Sequence, residues 1–226
     1  MSHRKLGTIT IGQAPRPDIT PILDACIDAA VPRVHVGLLD GLDRDRIAAR
    51  FAPVAGQPVL ITRLLDGSSV TVDKRAAEAA AQAKMRELEA QGCTTILILC
   101  TGEFSHLAAE RAWLIEPDRI LAPAVAALTQ DRQVGILVPL PEQIESEAAK
   151  WRTLSRTPIC AAASPYSDDD KALARAAREL RDRGADVLLT DCMGFVERHR
   201  QVAAEASGLP VILSNALIAK LTAEVL

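Results

Sequence analysis

Gly92-Cys-Thr-Thr-Ile-Leu-Ile-Leu-Cys100-Thr-Gly102 and Gly184-Ala-Asp-Val-Leu-Leu-Thr-Asp-Cys192-Met-Gly194 are two copies of one pattern. In each, a cysteine stands eight residues after the first glycine, and a second glycine follows two residues later. A glycine just past a helix supplies the left-handed residue that ends it. The apolar run that follows reads as a strand covered on both faces. A second pair of segments agrees: Lys5-Leu-Gly-Thr-Ile-Thr-Ile-Gly-Gln-Ala-Pro15 is echoed by Gln133-Val-Gly-Ile-Leu-Val-Pro-Leu-Pro141. Matching register in two separated segments signals an internal duplication. Two equivalent halves are therefore expected, meeting around residues 122–132.

Outward from these segments, strands are expected near 5–11, 33–39, 57–65, 94–100, 133–138, 158–162, 185–191 and 210–213, with helices between them. Thr20-Pro21 reads as an N-cap and first helical residue, followed by an apolar face of Ile22, Leu23, Cys26, Ile27 and Ala30. Ser167 with Asp170 reads as a capping box ahead of Leu173, Ala177 and Leu180. Strand–helix alternation means parallel sheets with right-handed crossovers. Residues 59–72 break the pattern, because two strand-like runs flank Asp66-Gly67, a strong hairpin signal. That hairpin is expected at a cleft mouth or a subunit contact. The expected fold class is α/β, with two pseudo-symmetric parallel-sheet halves and a cleft between them. Residues 1–125, with hairpin 59–72, form the first half, completed by a C-terminal helix 214–226; residues 126–213 form the second.

Composition narrows the functions. Of 226 residues, 49% are hydrophobic and 24% charged, which argues against disorder. The net charge is −3, and the aromatics are two Trp, one Tyr and three Phe. Neither a basic stripe nor a stacking platform for nucleic acid is present. The apolar runs are too short to cross a bilayer, and the N-terminus carries no apolar signal region. Five widely spaced cysteines make no disulfide framework, and no Cys-x-x-Cys pair or histidine cluster suggests a metal. A cytoplasmic protein without metal or cofactor is expected.

Ligands of open α/β sheets sit beyond the carboxyl ends of the strands, where Cys100 and Cys192 are expected. An isolated cysteine ending an apolar strand is ordinarily core. Two at matched repeat positions favour a site instead. Thr101-Gly102 and Met193-Gly194 are expected to begin the next helices, whose N–H groups bind a carboxylate and favour a thiolate. Two thiols on opposite faces of one carbon are what stereoinversion without a cofactor requires. Cys26, Cys93 and Cys160 are read as structural. Around the pair, Gln13 and Arg16 follow the first strand, and Arg16 can grip a carboxylate bidentately. Glu103, Asp191 and His199 flank the cysteines as acid/base helpers or solvated groups, and Asn215 follows the last strand as a cap or a cleft residue.

The paired cysteines in duplicated α/β halves resemble the aspartate/glutamate racemase superfamily, which includes hydantoin racemases, maleate isomerases and arylmalonate decarboxylases. More narrowly, Ile9-Thr-Ile-Gly-Gln-Ala-Pro-Arg-Pro-Asp18, Ile61-Thr-Arg-Leu-Leu-Asp-Gly67, Asp191-Cys-Met-Gly-Phe195 with Arg198-His-Arg200, and Leu213-Ser-Asn-Ala-Leu-Ile-Ala-Lys220 resemble the AroM family. The resemblance runs nearly end to end and implies flavodoxin-like halves. It also implies Cys100 and Cys192 as an acid/base pair for a small carboxylate substrate, and it admits a homodimer. Racemases of the superfamily carry Cys-Asn-Thr and Cys-Thr motifs, whereas Cys100-Thr101-Gly102 and Cys192-Met193-Gly194 have no Asn. Three readings stay open: a two-cysteine racemase or isomerase, a single-cysteine decarboxylase or cis–trans isomerase, and a metabolite-binding protein without catalysis.

Overall fold

The computed structural model describes residues 4–167 and 169–226, and of 146–148 only the backbone. Its strands are short because each is bounded by turn or helix-capping residues. The first sheet holds β1 (Leu6–Thr10), β2 (Arg33–Gly37), β5 (Thr95–Leu99) and β6 (Trp113–Ile115), in the order β2-β1-β5-β6. The second holds β7 (Val134–Val138), β8 (Ile159–Ala162), β9 (Val187–Thr190) and β10 (Val211–Leu213), in the order β8-β7-β9-β10. All pairings within both sheets are parallel. Counted within its own half, each sheet has strand order 2-1-3-4, so the duplication extends to topology.

Burial explains the apolar runs. Every residue of β1, β5, β7 and β9 is buried, as expected of central strands covered on both faces. The repeat also fixes how helices seat on these strands. Helix α3 (Lys74–Ala90) buries Ala77, Ala81, Met85 and Leu88 along one stripe, and α6 (Asp170–Asp182) buries Leu173, Ala176, Ala177 and Leu180. Each fully buried leucine there contributes about 2 kcal/mol. A Cβ on Gly7 would lie 2.7 Å from Leu88, and one on Gly135 only 3.1 Å from Leu180 Cβ. The same missing side chain, in both halves, lets the helix approach its strand. Gly92 (φ 82°) and Gly184 (φ 95°) end α3 and α6 in the left-handed region, where glycine is unstrained.

The chain divides into two compact units: Met1–Pro117 with Ala219–Leu226, and Asp118–Ile218. Helix α4 (Pro117–Thr129) opens the second unit, and α8 (Ser214–Ala223) runs from the second unit into the first. Within the first unit, Arg4 donates to the carbonyl of Leu226. Residues 59–72 form the expected antiparallel hairpin, β3 (Val59–Arg63) with β4 (Ser69–Asp73). Asp66 holds its turn by accepting the Ser68 N–H and the Arg44 guanidinium. Among the described residues, no helix is long and apolar enough to cross a membrane.

Several local expectations are corrected. The helix expected over 20–30 is only α1 (Thr20–Asp24), with Ile19 in the N-cap position, because the Thr20 hydroxyl turns back to the Arg16 carbonyl. Cys26 therefore lies beyond the helix. The cap of α6 is Asp169, whose carboxylate accepts the Ala172 N–H, while Ser167 bonds the Ser164 carbonyl. Strand β6 was not expected.

Candidate active site

In each sheet the chain leaves the two central strands in opposite directions: from β1 toward β2 and from β5 toward β6, and likewise from β7 toward β8 and β9 toward β10. The gap between such diverging connections is where α/β sheets bind ligands. Cys100 follows β5 and Cys192 follows β9, so the duplicated cysteines stand at the switch point of their own sheets.

No helix begins at either cysteine, contrary to expectation. After Cys100 the chain is irregular up to β6, and α7 (Glu197–Ser207) starts five residues beyond Cys192. A tighter device replaces the helix end. The Gly102 N–H points at Cys100 Sγ (3.3 Å), and the Gly194 N–H points at Cys192 Sγ (3.4 Å). A backbone donor aimed at sulfur stabilises negative charge there. Both cysteines are half-buried, while Cys93 is buried and burial pushes its thiol up.

In the first unit, the hairpin walls the Cys100 side. A Cβ on Gly102 would sit 3.0 Å from Leu60 of β3, and one on Gly12 would lie 2.1 Å from the Arg63 carbonyl oxygen. Gln13 ties these parts together. Its N–H donates to Arg63 O, its Oε1 accepts the Leu65 N–H, and its Nε2 donates to the carbonyls of Leu39 and Leu42. Gln13 is thus a loop tie, not an open ligand contact.

Arg16 is likewise turned inward. It is 4% exposed, donates Nε and Nη2 to Asp18 and Nη1 to Thr10 Oγ1, and so its fork grips a carboxylate of its own loop. Burial alone would raise the Asp18 carboxyl. The hydrogen bonds and charge of Arg16, with the charge of Arg63 beyond them, hold it below the usual carboxylate range. Arg63 was not singled out from the sequence. It is half-buried at the end of β3, and among the described residues its guanidinium makes no hydrogen bond. Thr101 is buried and Glu103 exposed.

In the second unit, the Cys192 turn is fastened from below. Asn215, fully buried at the start of α8, donates Nδ2 to the carbonyls of Met193 (3.0 Å) and Phe195 (2.5 Å). Ser214 Oγ donates to the Thr190 carbonyl. Asn215 therefore shapes the turn, and Met193, 2% exposed, is part of the packing. Asp191 is also not an open base: its N–H continues the ladder to Leu137 O, and its carboxylate accepts from Lys150 Nζ and Trp151 Nε1. His199 Nδ1 accepts the Val196 N–H (2.9 Å), which caps α7, and its ring packs edge-on against Phe195. An accepting Nδ1 carries no proton, so His199 serves the turn as a neutral ring.

Sequence reasoning missed one neighbour of the thiol. Tyr166, on the loop after β8, brings its hydroxyl to 3.7 Å from Cys192 Sγ. Nothing local in Pro165-Tyr166-Ser167 announces that contact. Among the described residues, no group of three or more His, Cys, Asp or Glu is placed to hold a metal.

The AroM protein family model matches residues 6–226. The chain belongs to the AroM family. Among solved structures, this AroM chain is similar to an unliganded arylmalonate decarboxylase (TM-score 0.59, 14% identity, covering 99% of this chain and 92% of that one). It is also similar to the aspartate racemase of Picrophilus torridus (TM-score 0.58, 16% identity, 97% and 94% covered). A glutamate racemase from Bacillus anthracis gives TM-score 0.60 at 11% identity, with 100% and 82% covered. At these identities the likeness speaks for the fold alone. No curated protein matches this AroM chain.

Proposed function

We propose that this AroM protein is a cofactor-independent racemase or isomerase of a small carboxylate, with Cys100 and Cys192 as its acid/base pair. The observation that carries the proposal is the matched Cys-x-Gly turn. In both halves a half-buried cysteine leaves the third strand of a 2-1-3-4 sheet, and its sulfur accepts the N–H of the glycine two residues on. Core packing does not need this device twice.

The chemistry balances without redox change. One thiolate takes the α-proton and becomes a thiol. The electron pair left on carbon delocalises into the substrate carboxylate. The second thiol then delivers its proton to the other face and is left as a thiolate. Arg63, whose guanidinium makes no hydrogen bond among the described residues, supplies the positive charge for the carboxylate, the role that Arg16 cannot take while gripping Asp18. A racemase and a decarboxylase both pass through such a carbanion, and solved structures with this fold include both kinds of enzyme.

Solvent deuterium wash-in, across a panel of α-amino acids, hydantoins and 2-substituted diacids, tests the proposal. Cys100→Ser and Cys192→Ser are each expected to abolish racemisation, because a hydroxyl is far too weak an acid to leave a usable base. Each variant should still exchange the α-proton of one enantiomer only. Retained racemisation in either variant overturns the two-thiol mechanism. A single-thiol reaction at Cys192 is the second reading, favoured by the tyrosine hydroxyl 3.7 Å from that sulfur. It predicts a dead Cys192→Ser and a largely active Cys100→Ser. Absence of exchange with every compound overturns carbanion chemistry and leaves the cis–trans isomerase and metabolite-binding readings.

A further inference from the structure

We propose that Tyr166 is a positioning residue for Cys192, its hydroxyl and the Gly194 N–H together forming a two-donor seat for the Cys192 sulfur. The proposal rests on Cys192 being a reactive thiol and assigns the residue that sets its reactivity.

Two independent contacts support the seat. The Tyr166 hydroxyl lies 3.7 Å from Cys192 Sγ, and the Gly194 N–H approaches the same atom at 3.4 Å. The ring itself lies against the turn. A Cβ on Gly194 would fall 2.5 Å from Tyr166 Oη and 2.6 Å from two ring carbons. The second glycine of the Cys-x-Gly motif thus does two things here: it aims its N–H at sulfur, and by lacking a side chain it makes room for the phenol. The matching glycine at Cys100, Gly102, faces Leu60 instead. Tyr166 is the chain's single tyrosine, so the duplicated turn at Cys100 has no tyrosine of its own.

The chemistry favours the anion. A phenol ionises near pH 10 and a thiol near 8.5, so at neutral pH the tyrosine keeps its proton and remains a donor to a thiolate. A hydrogen bond to a charged acceptor is stronger than one to a neutral acceptor. The hydroxyl can also accept from S–H in the neutral state, so the seat serves both protonation states and favours S⁻. The charged groups on the surrounding elements include Asp191 with its partner Lys150, His199, Arg198 and the Glu197–Arg200 pair on α7, Asp170 paired with Arg198, and Asp169 beside Arg175. None of them is altered when Tyr166 becomes Phe, so a comparison of the two proteins isolates the hydroxyl.

The test is the pH dependence of Cys192 alkylation by iodoacetamide, read by peptide mass spectrometry in the intact protein. Tyr166→Phe keeps the ring and removes the donor. Its Cys192 midpoint is expected to move up by about one pH unit, a roughly tenfold loss of thiolate below the midpoint. The Cys100 midpoint should stay unchanged. Gly194→Ala, which displaces the ring, is expected to shift Cys192 in the same direction.

A second measurement uses the single tyrosine from the other side. The tyrosinate absorbance titration of Cys192→Ser is expected at lower pH than that of the wild type, because the neighbouring thiolate resists a second negative charge. An unchanged Cys192 midpoint in Tyr166→Phe overturns the proposal, as does an unchanged tyrosinate titration in Cys192→Ser. Neither readout needs turnover. The seat therefore stands or falls separately from the proposed reaction.

Discussion

Replacing Asn215 tests what holds the Cys192 turn in shape. Its amide nitrogen donates to the carbonyls of Met193 and Phe195, and its Oδ1 is buried with no hydrogen-bond partner among the described residues. Asn215→Leu keeps the volume and removes both donors. Each orphaned carbonyl costs about 1–3 kcal/mol, but deleting the unpaired Oδ1 returns a similar amount, so the net loss is about 1–3 kcal/mol. Asn215→Asp is expected to be worse. It sets a buried carboxylate against two carbonyl oxygens, acceptor facing acceptor, at a cost of about 3–5 kcal/mol at neutral pH. With a urea dependence of about 2 kcal/mol per molar, the leucine variant should lose about 1 M in its unfolding midpoint. A Trp113→Phe background gives a clean assay. Trp113 is 59% exposed on short β6, and its removal leaves buried Trp151 as the fluorescent reporter of the second unit. Cys192 should also alkylate at a changed rate while Cys100 does not. An aspartate variant as stable as the leucine one, or no midpoint shift in either, refutes the latch.

Three further outcomes follow from the other unit. His35, which shares a 2.7 Å hydrogen bond with Thr8, is held below its usual 6.5 by burial and then by the charge of Arg33, against Asp24. Below about pH 6.5 the unfolded chain takes up a proton that the folded one resists, so stability should fall as acid is added, and His35→Gln should lose less between about pH 7 and 5 in urea titrations. Arg63→Gln should raise the KM of whichever carboxylate the exchange screen identifies by about tenfold with kcat less affected, and an unchanged KM removes Arg63 from the site. Glu89 on α3 accepts the N–H groups of Arg111 and Ala112, which hold its carboxyl below the usual range. Glu89→Ala should free residues 105–112 and speed tryptic cleavage after Arg111 by about tenfold, whereas unchanged cleavage would mean that Glu78 and Gln82, which bind His106 and Ala108, suffice alone.

What the sequence by itself determined is whatever local chemistry enforces. Buried strands need apolar runs, helices that end in the left-handed region need glycine, and Asp-Gly between two strand-like runs favours a hairpin, so the strands other than β6, the ends of α3 and α6, and the β3–β4 hairpin were legible. The duplication followed because the same glycines, at 7 and 135, admit the same helix–strand approach in both halves. Side-chain partners were a different matter. Arg16 could reach outward or to Asp18, Asn215 could cap a helix or grip the 192–196 turn, and Thr20 or Ile19 could stand at the N-cap of α1; such alternatives differ by about 1 kcal/mol locally. Only tertiary structure decided them, since burial removes water as the competing partner and leaves the protein groups within reach. The Tyr166–Cys192 contact is the extreme case. It joins residues 26 apart that no periodicity relates, and it exists because parallel strands β7, β8 and β9 bring their carboxyl ends together.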